Sequence, residues 1–240
     1  DGILETTPKS KSVWLFSATM PKEVARIAKN YMDDPLEVSI GHKNQSNENI
    51  DHIYFIVKDR DRYEAVKRII DFHPKIYGLI FCRTKHETAT VAEKLGREGY
   101  NAEPLHGDLT QPMRDRVMAR FRSKELQILV ATDVAARGID VEDITHVINY
   151  NLPDDTENYT HRSGRTARAG KKGESLVLIN QKENYKIKAI EKQMGQSFRQ
   201  GKIPEAEEIC EIQLMKLIQN TIDIQVKEKD IEKFMPQILS

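Results

Sequence analysis

The 240 residues are enough for one or two domains with a buried core. The 37 lysines and arginines are balanced by 37 aspartates and glutamates, which excludes a polybasic nucleic-acid binder that works by bulk charge, so any anion site must be local. With 39% hydrophobic and 31% charged residues, the composition excludes a disordered chain and a membrane protein, and we expect a cytoplasmic protein. The two cysteines form neither a disulfide framework nor a metal-binding pair, so we expect buried thiols.

The first predicted elements are a short strand over 12–16 and an amphipathic helix over 22–32. One strand and one helix bury too little apolar surface to form a domain. We therefore expect residues 1–40 to be the end of a domain that begins upstream. Residues 41–49 are wholly polar and rich in turn formers, which predicts a linker there.

From residue 50 the chain alternates between apolar strands and amphipathic helices. Strands are predicted over 53–57, 79–82, 102–105, 126–131, 144–150 and 175–179, and helices over 60–72, 84–98, 111–121 and 159–168. Continuous apolar strands separated by such helices predict an α/β domain over 41–200, with a parallel sheet covered by helices on both faces. Ligands are then expected at the carboxyl ends of the strands.

The remainder of the chain is predicted to be helical. A helix over 182–194 is followed by a small extension over 201–240, which Pro204 and an acidic first turn open. Its apolar stripe comprises Leu214, Leu217, Ile218 and Ile222, and another short helix ends near Leu239. Two interpretations remain open for the extension: it packs back on the domain, or it binds a partner such as a second copy of the chain.

A basic segment over 161–173 carries five lysines and arginines and no acidic residue. On the predicted helix, Arg165 and Arg168 share one face, so two guanidiniums could converge on a multiply charged anion such as a triphosphate. The alternative is a solvated basic face. The segment only superficially resembles a phosphate-binding loop, because the glycine spacing is too long and Lys172 replaces the required hydroxyl. No other segment of the sequence fits such a loop, so a nucleotide-hydrolysing site would be only partly supplied by these residues.

Two further clusters follow predicted strands. In 130–141, Thr132 offers a hydroxyl to a phosphate and Asp140 could accept from a ribose hydroxyl, although a helix cap at Asp133 or Asp140 with a turn at Gly138 is the alternative. In 106–114, Thr110 is expected to cap a helix whose amides, with Arg114, bind an anion. His161 has no second ligand at metal spacing, and we expect no metal site.

Six motifs occur in an order that resembles the DEAD-box RNA helicases. They are Ser17-Ala18-Thr19, Ile80 to Lys85, His106-Gly107-Asp108, Gln111 to Arg114, Ala131 to Asp140, and His161 to Gly170. The resemblance runs from about residue 12 to residue 180. It implies two RecA-like domains, of which this sequence holds the last motif of the first and all of the second. The parts that hold ATP and Mg²⁺ would then lie mainly in the upstream domain.

The resemblance also implies roles for individual residues. Arg165 and Arg168 would contact the γ-phosphate, with His161 and Arg162 coupling the motif to its neighbours; Gly138 and Asp140 would hold the ribose; and Ser17 and Thr19 would connect hydrolysis to strand separation. The RNA backbone would be bound, with little sequence preference, by Arg83, Thr84, Lys85, Gly107, Gln111, Arg114, Thr132 and Asp133. Arg137 would link the nucleotide to the RNA surface.

The sequence departs from the family pattern at two positions. Ala167 stands where the family usually has glycine, and Ser163 where it usually has an aliphatic residue; we expect the added methyl of Ala167 to be tolerated. The extension resembles that of bacterial cold-shock and ribosome-assembly members, where it can dimerise. The leading hypothesis is the carboxyl-terminal half of an ATP-dependent RNA helicase. The alternatives are a unit that only binds RNA or dimerises, and a DNA-directed relative.

Overall fold

The computed structural model describes residues 6–8, 10–17, 20, 22–32, 34–38 and 48–223. Their strands are β1 (Ile50–Ile56), β2 (Gly78–Phe81), β3 (Ala102–Leu105), β4 (Ile128–Ala131), β5 (His146–Asn149), β6 (Gly173–Ile179) and β7 (Arg199–Gln200). The helices are α1 (Lys22–Tyr31), α2 (Arg62–Phe72), α3 (Lys85–Arg97), α4 (Gln111–Arg122), α5 (Asp133–Ala136), α6 (Thr156–Ser163), α7 (Asn184–Met194) and α8 (Ala206–Ile222). No helix in this described part is long and apolar enough to cross a membrane.

The strands form one parallel sheet in the order β3-β4-β2-β5-β6-β1-β7. Alternate side chains of each strand enter different halves of the core: Ile80 lies on the face covered by α2 and α3, whereas Leu79 and Phe81 lie on the face covered by α4 and α5. Farther along that second face, α6 and α7 cover Val177 and Ile179. The predicted parallel sheet with helices on both faces is confirmed.

The amino-terminal segment differs from the prediction. Residues 11–17 have no regular secondary structure, so the strand expected over 12–16 is wrong, whereas the helix expected over 22–32 is observed as α1. Trp14 and Phe16 stack with ring centroids 6.3 Å apart, and both are largely exposed. A β-favouring run forms a strand only when another strand is beside it, and the described residues supply none here.

Helix α8 packs back on the domain. Gln213 Nε2 donates to the carbonyl of Asp71 at 2.5 Å, and Lys216 Nζ donates to the carbonyl of Pro74 at 3.2 Å. The apolar stripe is not part of this contact, because the side chains of Leu214, Leu217 and Ile222 are exposed. Cys82 is buried as expected, but Cys210 on α8 is exposed, so that prediction is wrong. The helix expected near Leu239 lies outside the described residues.

A close backbone approach fixes the start of β6. A Cβ on Gly173 would lie against Thr166 Oγ1 and 2.8 Å from the backbone nitrogen of Ala167. We expect Gly173→Ala to lower the free energy of unfolding by about 2 kcal/mol through overpacking. Urea denaturation measures the change, with Gly96→Ala in α3 as the control, because nothing lies within 4 Å of a Cβ there. Equal stability of the two variants would contradict the close approach.

A buried histidine predicts how acid affects stability. His52 Nδ1 lies 2.6 Å from the Tyr159 hydroxyl, which contacts Ser175 Oγ at 2.9 Å, and burial lowers the pKa of His52 from 6.5 to about 4. Between pH 6.5 and pH 4, His52 therefore binds a proton in the unfolded chain but not in the folded chain. The free energy of unfolding falls as the pH drops through that range. We expect His52 to account for about 3 kcal/mol of this loss. Urea denaturation at pH 7 and pH 4 should show a weaker pH dependence for His52→Gln, and an unchanged one would contradict the assignment.

Candidate functional site

The residues that follow β2, β4 and β5 lie at one edge of the sheet, because these three strands are neighbours and run in the same direction. Arg83 follows β2, Thr132 and Asp133 follow β4, and Asn151 follows β5. Two of these connections bond directly: the backbone nitrogen of Arg83 donates to Asn151 Oδ1 at 3.0 Å. The sheet thus brings together residues that are far apart in sequence, at the edge where parallel sheets bind ligands.

Arg162 is the centre of this edge. Its side chain is only 4% exposed, and its guanidinium binds Asp133 with Nε 2.6 Å from Oδ1 and NH2 2.7 Å from Oδ2. NH1 also donates to Asn149 Oδ1 at 3.0 Å and to the carbonyl of Asn151 at 2.9 Å, while the guanidinium carbon lies 5.1 Å from the ring centre of Phe81. A bidentate pair of this kind fixes both partners, so Arg162 holds α6 against the ends of β4 and β5.

These contacts determine which polar groups of Arg162 and Asp133 are already bonded within the protein. Each guanidinium nitrogen of Arg162 bonds to the protein, and four of its five N–H groups are used in this way, so the side chain positions its neighbours. Both carboxylate oxygens of Asp133 accept from Arg162. These bonds show how Arg162 joins its motif to the ends of β4 and β5, while the expected roles of Arg162 in coupling and of Asp133 in RNA binding stay predictions.

The helix predicted over 159–168 ends early. Helix α6 stops at Ser163, so Arg165 and Arg168 do not share a helical face, and the predicted reason for their convergence is wrong. Two features end the helix. Thr166 Oγ1 donates to the carbonyl of Ile144, and the backbone of Ala167 is left-handed, with φ 56°. Arg165 and Arg168 lie instead on the connection between α6 and β6.

The two arginines are nevertheless close to the second predicted cluster. Arg165 NH1 donates to the carbonyl of Ile139 at 2.9 Å, and Arg168 NH1 forms an ion pair with Asp140 Oδ1. Burial lowers the pKa of Arg165, and the charge of Arg168 lowers it further. The carboxylate expected to hold ribose is thus paired with an arginine expected to contact the γ-phosphate.

The Arg168–Asp140 pair is accessible to solvent. The Arg168 side chain is 28% exposed and that of Asp140 is 89% exposed. Exposed pairs are worth little, about 0 to 1 kcal/mol, so either partner can leave for a ligand at small cost. Arg165 and Arg168 are therefore not buried against carboxylates of their own domain, which would have contradicted their predicted role.

A cleft of about 330 Å³ opens beside these residues. It is lined by Phe81, Asp133, Ala136, Arg137, Gly138, Asn158, His161, Arg162 and Arg165. Gly138 has φ 75°, a left-handed conformation that favours glycine, and a Cβ there would meet nothing within 4 Å. His161 and Gly138 thus lie in the same cleft as Arg165, as their predicted roles require.

The residues expected to bind RNA line the outer part of this edge. Thr84 and Thr132 cap α3 and α5, accepting from the backbone nitrogens of Glu87 at 3.1 Å and Ala135 at 3.4 Å. Gly107 is exposed, with open space around its Cβ position. The caps leave each threonine hydroxyl hydrogen available to a phosphate oxygen.

The basic and amide side chains of this outer part already have partners. Lys85 pairs with Asp108 at 2.9 Å and Arg83 with Asp154 at 3.6 Å, both at exposed positions. Gln111 Nε2 donates to Asp115 at 2.7 Å, and Arg114 NH2 donates to the carbonyl of Ala135. Thr110 is the N-cap residue of α4, as expected, although its side chain makes no capping hydrogen bond.

The candidate residues of the amino-terminal segment are not placed at this edge by any described contact. Ser17 is exposed in an irregular segment, and Thr19 lies outside the described residues. Their expected role in connecting hydrolysis to strand separation stays a prediction.

Comparison with known proteins agrees with this geometry. The helicase conserved C-terminal domain family matches residues 61–170. A solved structure of the C-terminal domain of the DEAD-box protein Dbp5 matches with a TM-score of 0.62 and 31% identity, covering 69% of this chain and 97% of that one. The chain belongs to the DEAD-box helicase family. Its sheet is accordingly the RecA-like sheet of a DEAD-box C-terminal domain.

Two further matches cover more of the chain. The DEAD-box ATP-dependent RNA helicase CshA of Bacillus cereus is 37% identical over 226 residues, which are 93% of this chain and 43% of CshA. The structure of S. cerevisiae Dbp5 bound to RNA and ADP BeF3 has a TM-score of 0.80 and 29% identity, covering 88% of this chain and 56% of that one. The chain thus spans less than half the length of CshA.

The two departures from the DEAD-box pattern have visible structural settings. Ser163 is fully buried, and its hydroxyl donates to the carbonyl of Thr160 at 3.1 Å, so its polar group is satisfied. Ala167 is buried in the left-handed conformation, where a glycine avoids the steric cost of a Cβ. The fold accommodates both residues, while their effect on nucleotide binding stays a prediction.

Sequence reasoning missed three polar residues of this DEAD-box site. Asn149 is fully buried and accepts from Arg162, Asn151 accepts from Arg83, and Glu87 accepts from Asn151 Nδ2 at 3.2 Å. The signal available in the sequence was an asparagine at the end of an apolar strand, since a buried amide requires a partner.

Proposed function

We propose that the chain is the carboxyl-terminal half of an ATP-dependent RNA helicase, which couples ATP hydrolysis to local unwinding of RNA duplexes or remodelling of RNA–protein complexes. Residues 1–40 would end the first RecA-like domain, 41–200 would form the second, and 201–240 the helical extension. The observation that carries the proposal is the arginine-bearing connection after α6, which is anchored by buried Arg162 and Thr166. On it, Arg165 lines the cleft beside Arg162, and Arg168 forms an exposed ion pair with Asp140.

On the nucleotide side, the chain would supply charge to a triphosphate held elsewhere. ATP and its Mg²⁺ would be bound mainly by the upstream RecA-like domain, and closure of the two domains would bring the γ-phosphate to Arg165 and Arg168. Arg168 would then exchange Asp140 for phosphate oxygens, which releases the Asp140 carboxylate to accept from a ribose hydroxyl. Preorganised arginines stabilise the negative charge that spreads over the transferred phosphoryl group.

On the RNA side, the outer part of the edge would bind the sugar–phosphate backbone. Arg83, Lys85 and Arg114 would exchange their present partners for phosphate oxygens. The first two do so at small cost because their ion pairs are exposed. Asp133, whose carboxylate is taken up by Arg162, would contribute by positioning the Thr132 turn.

Stimulation of ATP hydrolysis in the complete protein tests the proposal. We expect single-stranded RNA to stimulate turnover and DNA of the same sequence to leave it nearly unchanged, because the 2′-hydroxyl distinguishes the two. Equal stimulation by RNA and DNA would favour the DNA-directed alternative. Binding of RNA without any ATP turnover would favour a unit that only binds.

We expect Arg114→Ala in the complete protein to weaken RNA binding by about 1 kcal/mol, the scale of one charge-assisted contact. ATP turnover at saturating RNA should remain close to that of the unsubstituted protein. Fluorescence anisotropy of labelled RNA measures the affinity, with Arg60→Ala as the exposed control on the 3-10 turn before α2. An unchanged RNA affinity for Arg114→Ala would contradict the assignment.

The exposed stripe on α8 supports homodimerisation as a second function of the extension. Leu214, Leu217 and Ile222 are 57%, 62% and 70% exposed although α8 itself packs on the domain. Sedimentation of the chain with and without residues 204–240 tests this. A concentration-independent monomer in both cases would contradict it.

A further inference from the structure

Three potential metal ligands meet at the amino ends of the strands, opposite the edge described above. His146 is the first residue of β5, Glu174 is its direct neighbour in β6, and His73 ends α2. One ligand atom from each residue lies within 4.8 Å of the others. His146 Nε2 is 3.8 Å from Glu174 Oε2, and the two imidazole rings have centroids 4.4 Å apart.

The hydrogen bonds around Thr145 allow the metal-binding tautomer of His146. The Thr145 hydroxyl accepts from the backbone nitrogen of Tyr77 at 3.0 Å, and it lies 3.1 Å from the carbonyl of Tyr77 and 2.7 Å from His146 Nδ1. When its only hydrogen is donated to the carbonyl, the imidazole donates from Nδ1 to the hydroxyl. Nε2 then carries a lone pair.

That lone pair has no hydrogen-bond partner among the described residues, although Nε2 is buried and His146 is only 8% exposed. A buried acceptor without a donor loses its hydrogen bonds to water and forms none with the protein, which costs free energy. Nε2 faces the carboxylate of Glu174, which is likewise an acceptor when ionised. A cation between them would satisfy both groups.

We propose that His73, His146 and Glu174 bind one divalent transition-metal ion of the zinc type, with water in the fourth position. Two imidazoles and one carboxylate are a donor set that zinc accepts and that magnesium and calcium do not favour. The hydrogen bond from Nδ1 to Thr145 is the outer contact that usually orients a metal-binding histidine.

The distances require only small movements. Two ligand atoms about 2.1 Å from a tetrahedral ion are about 3.4 Å apart, close to the 3.8 Å between His146 Nε2 and Glu174 Oε2. His73 and Glu174 are half-buried, so their side chains have room to close the remaining gap. Asp51 adds negative charge near Glu174, and Arg199 adds positive charge there.

The environment also keeps the imidazoles in the form that binds metal. Burial lowers the pKa of His146 to about 3 and also lowers that of His73, which favours the neutral imidazole over the charged one. Because the three ligands come from α2, β5 and β6, the ion would tie this helix end to two strands. It would therefore stabilise the fold and take no part in nucleotide chemistry.

Titration with Zn²⁺ and Co²⁺ tests the site, using the Cys210→Ser chain so that the exposed thiol does not compete. We expect one equivalent of Zn²⁺ by calorimetry, a visible Co²⁺ absorption band of tetrahedral type that Zn²⁺ displaces, and a rise in Tm with Zn²⁺. His73→Gln and Glu174→Gln should each weaken binding by at least about tenfold and remove the Tm rise.

The control is His86→Gln, because His86 is exposed on α3 and outside the cluster. His146→Gln completes the set. Because His73 and Glu174 are only half-buried, His73→Gln and Glu174→Gln test metal binding even if His146→Gln does not fold. The absence of saturable binding, or binding that survives His73→Gln and Glu174→Gln, would overturn the proposal. So would equal weakening by His86→Gln.

Discussion

Replacing Arg162 by alanine is expected to lower the free energy of unfolding by about 3 kcal/mol, the low end for breaking a buried ion pair. The reason is that Arg162 is almost fully buried and bonds to Asp133, Asn149 and the carbonyl of Asn151. The loss stays at the low end because Asp133 is 34% exposed and can be partly rehydrated. Urea denaturation of the chain measures the change.

Three further variants separate geometry from charge. Arg162→Lys keeps the charge but loses the planar fork, so we expect it to recover less than half of the lost stability. A double-mutant cycle with Asp133→Asn should show a coupling free energy of at least about 1 kcal/mol. Arg60→Ala, at an exposed pair, should change stability by less than about 0.5 kcal/mol. A loss for Arg162→Ala as small as that for Arg60→Ala would contradict the anchoring role.

Replacing Arg168 by alanine in the complete protein is expected to lower RNA-stimulated kcat for ATP by about a thousandfold, the scale of an arginine that stabilises phosphoryl transfer. RNA affinity should be nearly unchanged, because Arg168 lies on the connection after α6, away from the residues assigned to RNA. Steady-state hydrolysis and RNA anisotropy on the same preparation measure both.

A stability measurement distinguishes this role from a structural one. The exposed Arg168–Asp140 pair is worth little, so Arg168→Ala should leave the Tm almost unchanged while kcat falls. Lys188→Ala, at an exposed position of α7, is the matched control for loss of one positive charge. If kcat of Arg168→Ala equalled that of Lys188→Ala, Arg168 would have no part in hydrolysis.

The sheet could be predicted because its signals are local. β2 and β4 are continuous apolar runs, and the helices between them repeat apolar residues at helical spacing, so burial on both faces is visible in the sequence. The edge at which the site lies follows from the direction of the strands alone. The motif residues that directly follow β2 and β4 therefore lie at the predicted edge.

The details of the site depend on contacts between distant residues. The end of α6 is set by Thr166 bonding to Ile144 and by the left-handed backbone of Ala167, neither of which has a local signal. The pairing of Arg162 with Asp133 likewise joins two motifs, each of which is interpreted from the sequence as a ligand-binding segment. Sequence spacing therefore indicates which residues lie together at the site, but not which of them bond to one another.

The same limit applies to the proposed metal ligands. The sequence predicts no metal site, because His161 has no second ligand at metal spacing. His73, His146 and Glu174 come together only through the pairing of β5 with β6 and the end of α2. Register between parallel strands cannot be read from either strand alone. We therefore propose a site where the sequence predicts none.

ATP turnover by the two halves, separately and mixed, tests most directly whether this chain supplies arginines to a triphosphate bound by another domain. With RNA present, we expect no turnover from the 240-residue chain or from the upstream RecA-like domain alone, turnover from their mixture, and its loss when the chain carries Arg168→Ala. Turnover by the 240-residue chain alone would contradict the account.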